Sequence, residues 1–99
     1  MSVEMYQKNV NSLDVEIHTL EKKKYEFDHK VSNAQSKISS IERSITKRTS
    51  PIMLNSKIRQ IDSLKRDIVR YSKNSADLSK KIVEKRKKRN EQYLKLQHE

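Results

Sequence analysis

"ITKRTSPIMLNSKIRQI", residues 45–61, contains the only proline of the chain and decides its fold. Long stretches of helix-forming sequence lie on both sides, so Pro51 is either a kink in one rod or the corner of a hairpin. Inside a helix, proline removes a hydrogen bond and clashes with the preceding turn, at a cost of about 3 kcal/mol. At the first position of a helix it costs little, because that amide has no partner there anyway. Ser50 before it is a preferred N-cap, and Thr49 is a second hydroxyl residue. The residue ahead of a proline is also pushed away from helical angles. Thr49, Ser50 and Pro51 therefore mark a corner. The spacing predicts a first helix over about 2–46, a turn over about 47–50, and a second helix over about 51–97. The fold class expected is all-α: an antiparallel two-helix coiled-coil hairpin, with arms of about 70 Å at 1.5 Å per residue, self-associating into a dimer or larger bundle.

The first arm carries the strongest periodicity. Val3, Tyr6, Val10, Leu13, Ile17, Leu20, Lys24, Phe27, Val31, Ala34, Ile38, Ile41 and Ile45 follow at alternating spacings of three and four. Only Lys24 breaks the apolar series, and six unbroken heptads predict a coiled coil. The second arm repeats the pattern through Ile61, Leu64, Ile68, Tyr71, Ser75, Leu78 and Ile82. Leu54 and Ile58 approach it one step out of phase, which implies local overwinding or a different packing near the turn, with Ile58 as a core residue. Beyond Val83, "EKRKKRNEQ" has no apolar side chain and the seam fades.

Folding about residue 51 opposes residues whose numbers total about 102. That sets Ile41 against Ile61, Ile38 against Leu64, Ala34 against Ile68 and Val31 against Tyr71. Towards the ends it sets Ile17, Leu13 and Val10 against Lys85, Arg89 and Gln92. Apolar meets charged there, so either the arms splay or the stripe belongs to another chain; the second reading is preferred, and Val3, Tyr6, Val10, Leu13, Ile17 and Leu20 are assigned to contact with a second chain. β-Branched residues at a and leucine at d suit a two-stranded partner, and a lysine at a fixes register.

Composition narrows the function. Among 99 residues there are no Gly, Cys or Trp, 36% are charged and 32% hydrophobic. Phosphate-cradling loops and nucleophile elbows lean on glycine, and without cysteine there is no disulfide or thiolate metal site. The N-terminus has no basic region followed by an apolar run, and no stretch nears the roughly 18 apolar residues of a membrane span. A cytoplasmic, non-membrane protein is expected, with no enzymatic activity, cofactor or metal. His18 and His29 read as solvated, and the carboxylates are scattered along the rod.

The net charge of +10 is uneven: residues 1–48 contribute +2 and residues 51–99 contribute +8. Lys80, Lys81, Lys85, Arg86, Lys87, Lys88 and Arg89 form a possible anion patch. No aromatic platform is interleaved with them, and Glu84 and Glu91 stand within reach of local pairing. The run reads first as a solvated helix face, and a nucleic-acid partner is not expected.

"IERSITKRTSPIMLNSKIRQID", "KKIVEKRKKRNEQYLKLQ" and "YQKNVNSLDVEIHTLEKKK" resemble the N-terminal coiled-coil segment of bacterial proteins that end in a TIR (Toll/interleukin-1 receptor) domain. In that family a lysine-rich helix leads to an "RSITK-TS" turn, a second helix with "K-RQI", and "K-KKRN". The resemblance implies a segment that brings NAD-cleaving effector domains together in antiphage defence or in interference with host signalling. It also implies a TIR domain in cis, or a full-length TIR homologue, as partner. These 99 residues hold neither the TIR fold nor its catalytic glutamate, so no catalytic residue is carried over. The expected function is thus a non-enzymatic oligomerisation or scaffold module. Two alternatives are a basic helical nucleic-acid-binding protein and a small helical-hairpin secretion partner of the WXG type. The latter family carries Trp-X-Gly at its bend, where this chain reads "RTSPIM".

Overall fold

The computed structural model describes residues 2–98. Two helices account for nearly all of them: α1 (Val3–Ser44) and α2 (Pro51–His98), packed against each other with no strand among the described residues. The hairpin fold is as the sequence predicts. The chain divides into two compact units. A turn unit comprises Glu26–Asn74, and a terminal unit comprises Met1–Tyr25 with Ser75–Glu99. Within each unit, α1 and α2 run antiparallel.

The corner is built by side-chain hydroxyls. The Thr46 amide donates to Thr49 Oγ1 at 2.8 Å, and the Thr49 amide returns a bond to the Thr46 carbonyl at 3.1 Å. The Arg48 amide donates to Thr46 Oγ1 at 3.2 Å. Ser50 then caps α2: its Oγ accepts from the Met53 amide at 3.3 Å, and its carbonyl accepts from the Leu54 amide at 2.8 Å. Pro51 takes the first helical position, where its missing donor costs nothing. No described residue has a positive φ, so the chain reverses without the backbone freedom that glycine would supply.

α1 ends at Ser44, two residues before the expected boundary. The reason lies across the turn. Lys57 Nζ donates to the Ser44 carbonyl at 3.0 Å and to Ser44 Oγ at 2.8 Å. A cation at a helix C-terminus satisfies orphan carbonyls and complements the macrodipole. The Thr46 amide is already committed to Thr49, so the α1 ladder has nowhere to continue.

Lys57 also corrects the reading of the second seam. Leu54, Lys57, Ile61, Leu64, Ile68 and Tyr71 are all half-buried or buried, at unbroken 3/4 spacing. Ile58, expected in the core, is 45% exposed. There is no phase slip near the turn. A lysine occupies the seam position because its stem packs while its ammonium reaches the end of α1, and Ile58 lies one step off the line.

Burial in the turn unit follows the expected seam. Ala34, Ile38 and Ile61 are buried, with Val31, Ile41, Ile45, Leu64 and Ile68 half-buried around them. Phe27 and Tyr71 place their ring centroids 6.2 Å apart, tilted by 34°. Lys30 Nζ stands 5.3 Å from the Phe27 centroid and 5.4 Å from that of Tyr71, and the Arg70 guanidinium lies 5.2 Å from the Tyr71 ring. Such cation–π contacts contribute about 0.5–1 kcal/mol each at exposed sites. In the terminal unit Val10, Ile17, Ser75, Leu78 and Ile82 are buried.

The corrected seam gives opposite outcomes for two neighbouring isoleucines. Ile61→Ala should destabilise the protein by about 2–4 kcal/mol, the range for truncating a core isoleucine. Ile58→Ala should stay within about 0.5 kcal/mol, as for surface substitutions. Urea denaturation read by far-UV circular dichroism separates the two.

Candidate functional site: the charged seam of the terminal unit

The six residues assigned to a second chain lie in the terminal unit. Val10 and Ile17 are 3% and 8% exposed within the single chain. They are therefore covered by the hairpin itself, and the assignment of the whole stripe to another molecule does not hold for these two positions. Tyr6, Leu13 and Leu20 are half-buried, and Val3 is 47% exposed. The stripe is closed at its a positions beyond Val3 and left partly open at its d positions.

Facing the stripe is the last part of α2, which includes the basic run. The α2 seam continues past Ile82 through Lys85, Arg89, Gln92 and Leu96, all half-buried at the same 3/4 spacing. Lys85 Nζ reaches Glu16 Oε2 at 2.9 Å, and Arg89 Nε reaches Asp14 Oδ1 at 3.0 Å. Arg86 Nη2 meets Glu21 Oε1 at 2.6 Å. Asn9 Nδ2 donates to Gln92 Oε1 at 3.0 Å. Long cationic side chains can bury aliphatic stems along an apolar surface while their heads stay in water. Here those heads land on carboxylates flanking the α1 stripe. Each ion pair is partly solvated, with side-chain exposures between 32% and 58%, and contributes about 0.2–1 kcal/mol.

The anion patch is split by this arrangement. Lys85, Arg86 and Arg89 are engaged by α1 carboxylates rather than by Glu84 or Glu91 as the local spacing suggests. Lys80, Lys81, Lys87 and Lys88 are exposed and form no ion pair among the described residues. Arg89 also stacks its guanidinium 5.0 Å from the Tyr93 ring. A signal for the seam role of Lys85 and Arg89 was present in the spacing, since both fall at the positions that Ile82 and Leu78 predict. Their charge hid it. The cap formed by Lys57 had no comparable signal.

Chemistry of other kinds finds little footing. His18 and His29 are both exposed. No group of three or more His, Cys, Asp or Glu gathers among the described residues. The grooves between the helices are open troughs; that of the terminal unit is lined by Asn9, Leu13, Glu16, Lys88 and Gln92. No helix among the described residues is long and apolar enough to cross a membrane. Compared with known proteins, the chain matches no family model, no curated protein and no solved structure.

Neutralising the three carboxylates tests how the seam is held. The triple variant Asp14→Asn, Glu16→Gln, Glu21→Gln should lose about 0.6–3 kcal/mol, three exposed pairs' worth. Amide exchange should quicken in residues 82–92 and stay unchanged around Ile61. Uniform acceleration along both helices would contradict a local role.

Proposed function

We propose that this chain is a non-enzymatic coiled-coil assembly module that brings copies of itself, and any domain joined to it, together. The observation carrying this reading is the imbalance of the terminal seam. Between Val10 and Ile17 helix α1 presents apolar residues, whereas α2 answers with Lys85, Arg89 and Gln92. Val10 and Ile17 are covered within one chain, but Val3, Tyr6, Leu13 and Leu20 stay part-open. Completing the burial of such side chains contributes up to roughly 1.5–3 kcal/mol each. A second copy supplies an apolar stripe of matching period, with β-branched residues at a as two-stranded pairing prefers.

The resemblance of the turn and basic-run sequences to the segment preceding bacterial TIR domains supports the same role. On that reading the module would assemble NAD-cleaving effectors in immune defence, with a TIR domain in cis or a full-length TIR homologue as partner. A basic nucleic-acid-binding role draws less support, because Lys85, Arg86 and Arg89 are committed to Asp14, Glu16 and Glu21.

Sedimentation equilibrium should find a dimer or larger species at micromolar concentration. Val3→Asp combined with Leu13→Asp should shift it to monomer while helicity persists. Ile17→Asp is the contrasting variant: since Ile17 is already buried in one chain, it should unfold the terminal unit as well. A wild-type chain that stays monomeric at high concentration would sink the proposal.

A further inference from the structure

Between Glu42 and Asp62 the chain carries no carboxylate for nineteen residues, and five Lys or Arg: Arg43, Lys47, Arg48, Lys57 and Arg59. The fold gathers this stretch at the hairpin corner, in the turn unit. Lys57 is consumed by the end of α1. Lys47, Arg48 and Arg59 are exposed and form no ion pair among the described residues. Beside them stand Ile52 and Met53, 83% and 55% exposed. Ile52 is the most exposed large hydrophobic residue among those described. It lies two helical turns from Arg59 on α2, and both line one open groove on that helix.

Single exposed apolar residues need no explanation. Val15, Val69 and Val83 are of that kind. Two adjacent ones at a corner whose Lys47, Arg48 and Arg59 are exposed and form no ion pair among the described residues are a different pattern. Neither residue is needed for the hairpin, since both lie off the α2 seam. The charge around them excludes a basic partner, and a second copy would bring an equally basic corner. A linear polyanion would meet the cations but leave Ile52 and Met53 without a role, and no exposed aromatic stands at the corner to stack on bases.

We propose that the hairpin corner docks on an anionic lipid surface, with Ile52 and Met53 entering the headgroup–acyl boundary and Lys47, Arg48 and Arg59 facing the phosphates. Both ingredients of peripheral attachment are there: a small apolar element and clustered basic residues. The contact uses side chains alone, since the Met53 amide already donates to Ser50. It is peripheral, consistent with helices too polar to span. It does not depend on assembly, because every residue involved lies in one chain.

The test uses the full chain with phosphatidylcholine vesicles, with and without phosphatidylserine, at low salt. The protein should co-sediment with phosphatidylserine vesicles only. Lys47→Gln and Arg48→Gln should each weaken partitioning about fivefold, the loss expected per basic residue near an anionic surface. Ile52→Ser with Met53→Ser should weaken it too, whereas Lys80→Gln with Lys87→Gln should leave it within about twofold. The chain has no tryptophan, so Ile52→Trp reports insertion directly, through a blue shift of its emission on phosphatidylserine vesicles. The proposal is overturned if the wild-type chain stays in the supernatant, or if the Trp emission does not move. It is equally overturned if the Lys80/Lys87 variant loses binding while the corner variants keep it, or if duplex DNA is bound and the Ile52/Met53 variant binds it as well as wild type.

Discussion

The exchange of hydrogen bonds between Thr46 and Thr49 is the constraint that reverses the chain and lets its two helices face each other. Once the corner closes there, Ser50 starts α2 and Lys57 falls beside the end of α1, where it reaches Ser44. In the terminal unit the pairing of the helices brings Lys85 to Glu16, Arg89 to Asp14 and Gln92 to Asn9. A slip of one residue would turn each of those cations away from its carboxylate. Hydroxyls do here what glycine does in most corners. They hold the amides of a reversed chain without requiring a left-handed residue.

Two kinds of seam follow from that pairing. The turn unit packs in the usual way, with Ala34, Ile38 and Ile61 buried and larger side chains around them. The terminal unit opposes apolar residues with long cations whose stems take the place of aliphatic side chains. The second solution still shields Val10 and Ile17. Its partly solvated ion pairs contribute little each and are screened by salt. Both units are thus held by buried apolar residues, with Val10, Ile17, Leu78 and Ile82 in the terminal one, and only the ion pairs added there respond to ionic conditions.

Much of the fold was legible in the sequence. Six heptads on α1 and one proline behind a serine cap were enough for the hairpin and its register, because both signals are local. The harder part was α2. A periodicity read through apolar residues alone passed over Lys57, Lys85 and Arg89, and so promoted Ile58 and closed the seam too early at Ile82. Lysine and arginine at seam positions are ambiguous in sequence: the same residue is solvent-facing or inward depending on whether a carboxylate or a helix end awaits its head. That second fact resides in the partner helix. The surface left for a second chain was misjudged for the same reason, since Val10 and Ile17 looked uncovered only while Lys85, Arg89 and Gln92 opposite were counted as solvent-facing.

Loop-closure entropy favours pairing that starts at the corner. Ser44 and Lys57 are separated by 13 residues, whereas Asn9 and Gln92 are separated by 83. Closing a longer loop costs more chain entropy, although the cost grows slowly. Pairing that spreads outward from the corner avoids most of it, because each new contact then closes only a short additional loop. The apolar stripe of the first arm, made early and answered last by the second, spends the interval uncovered. During that interval it is equally open to its own second arm and to another chain, so protein concentration during folding can influence which of the two it meets.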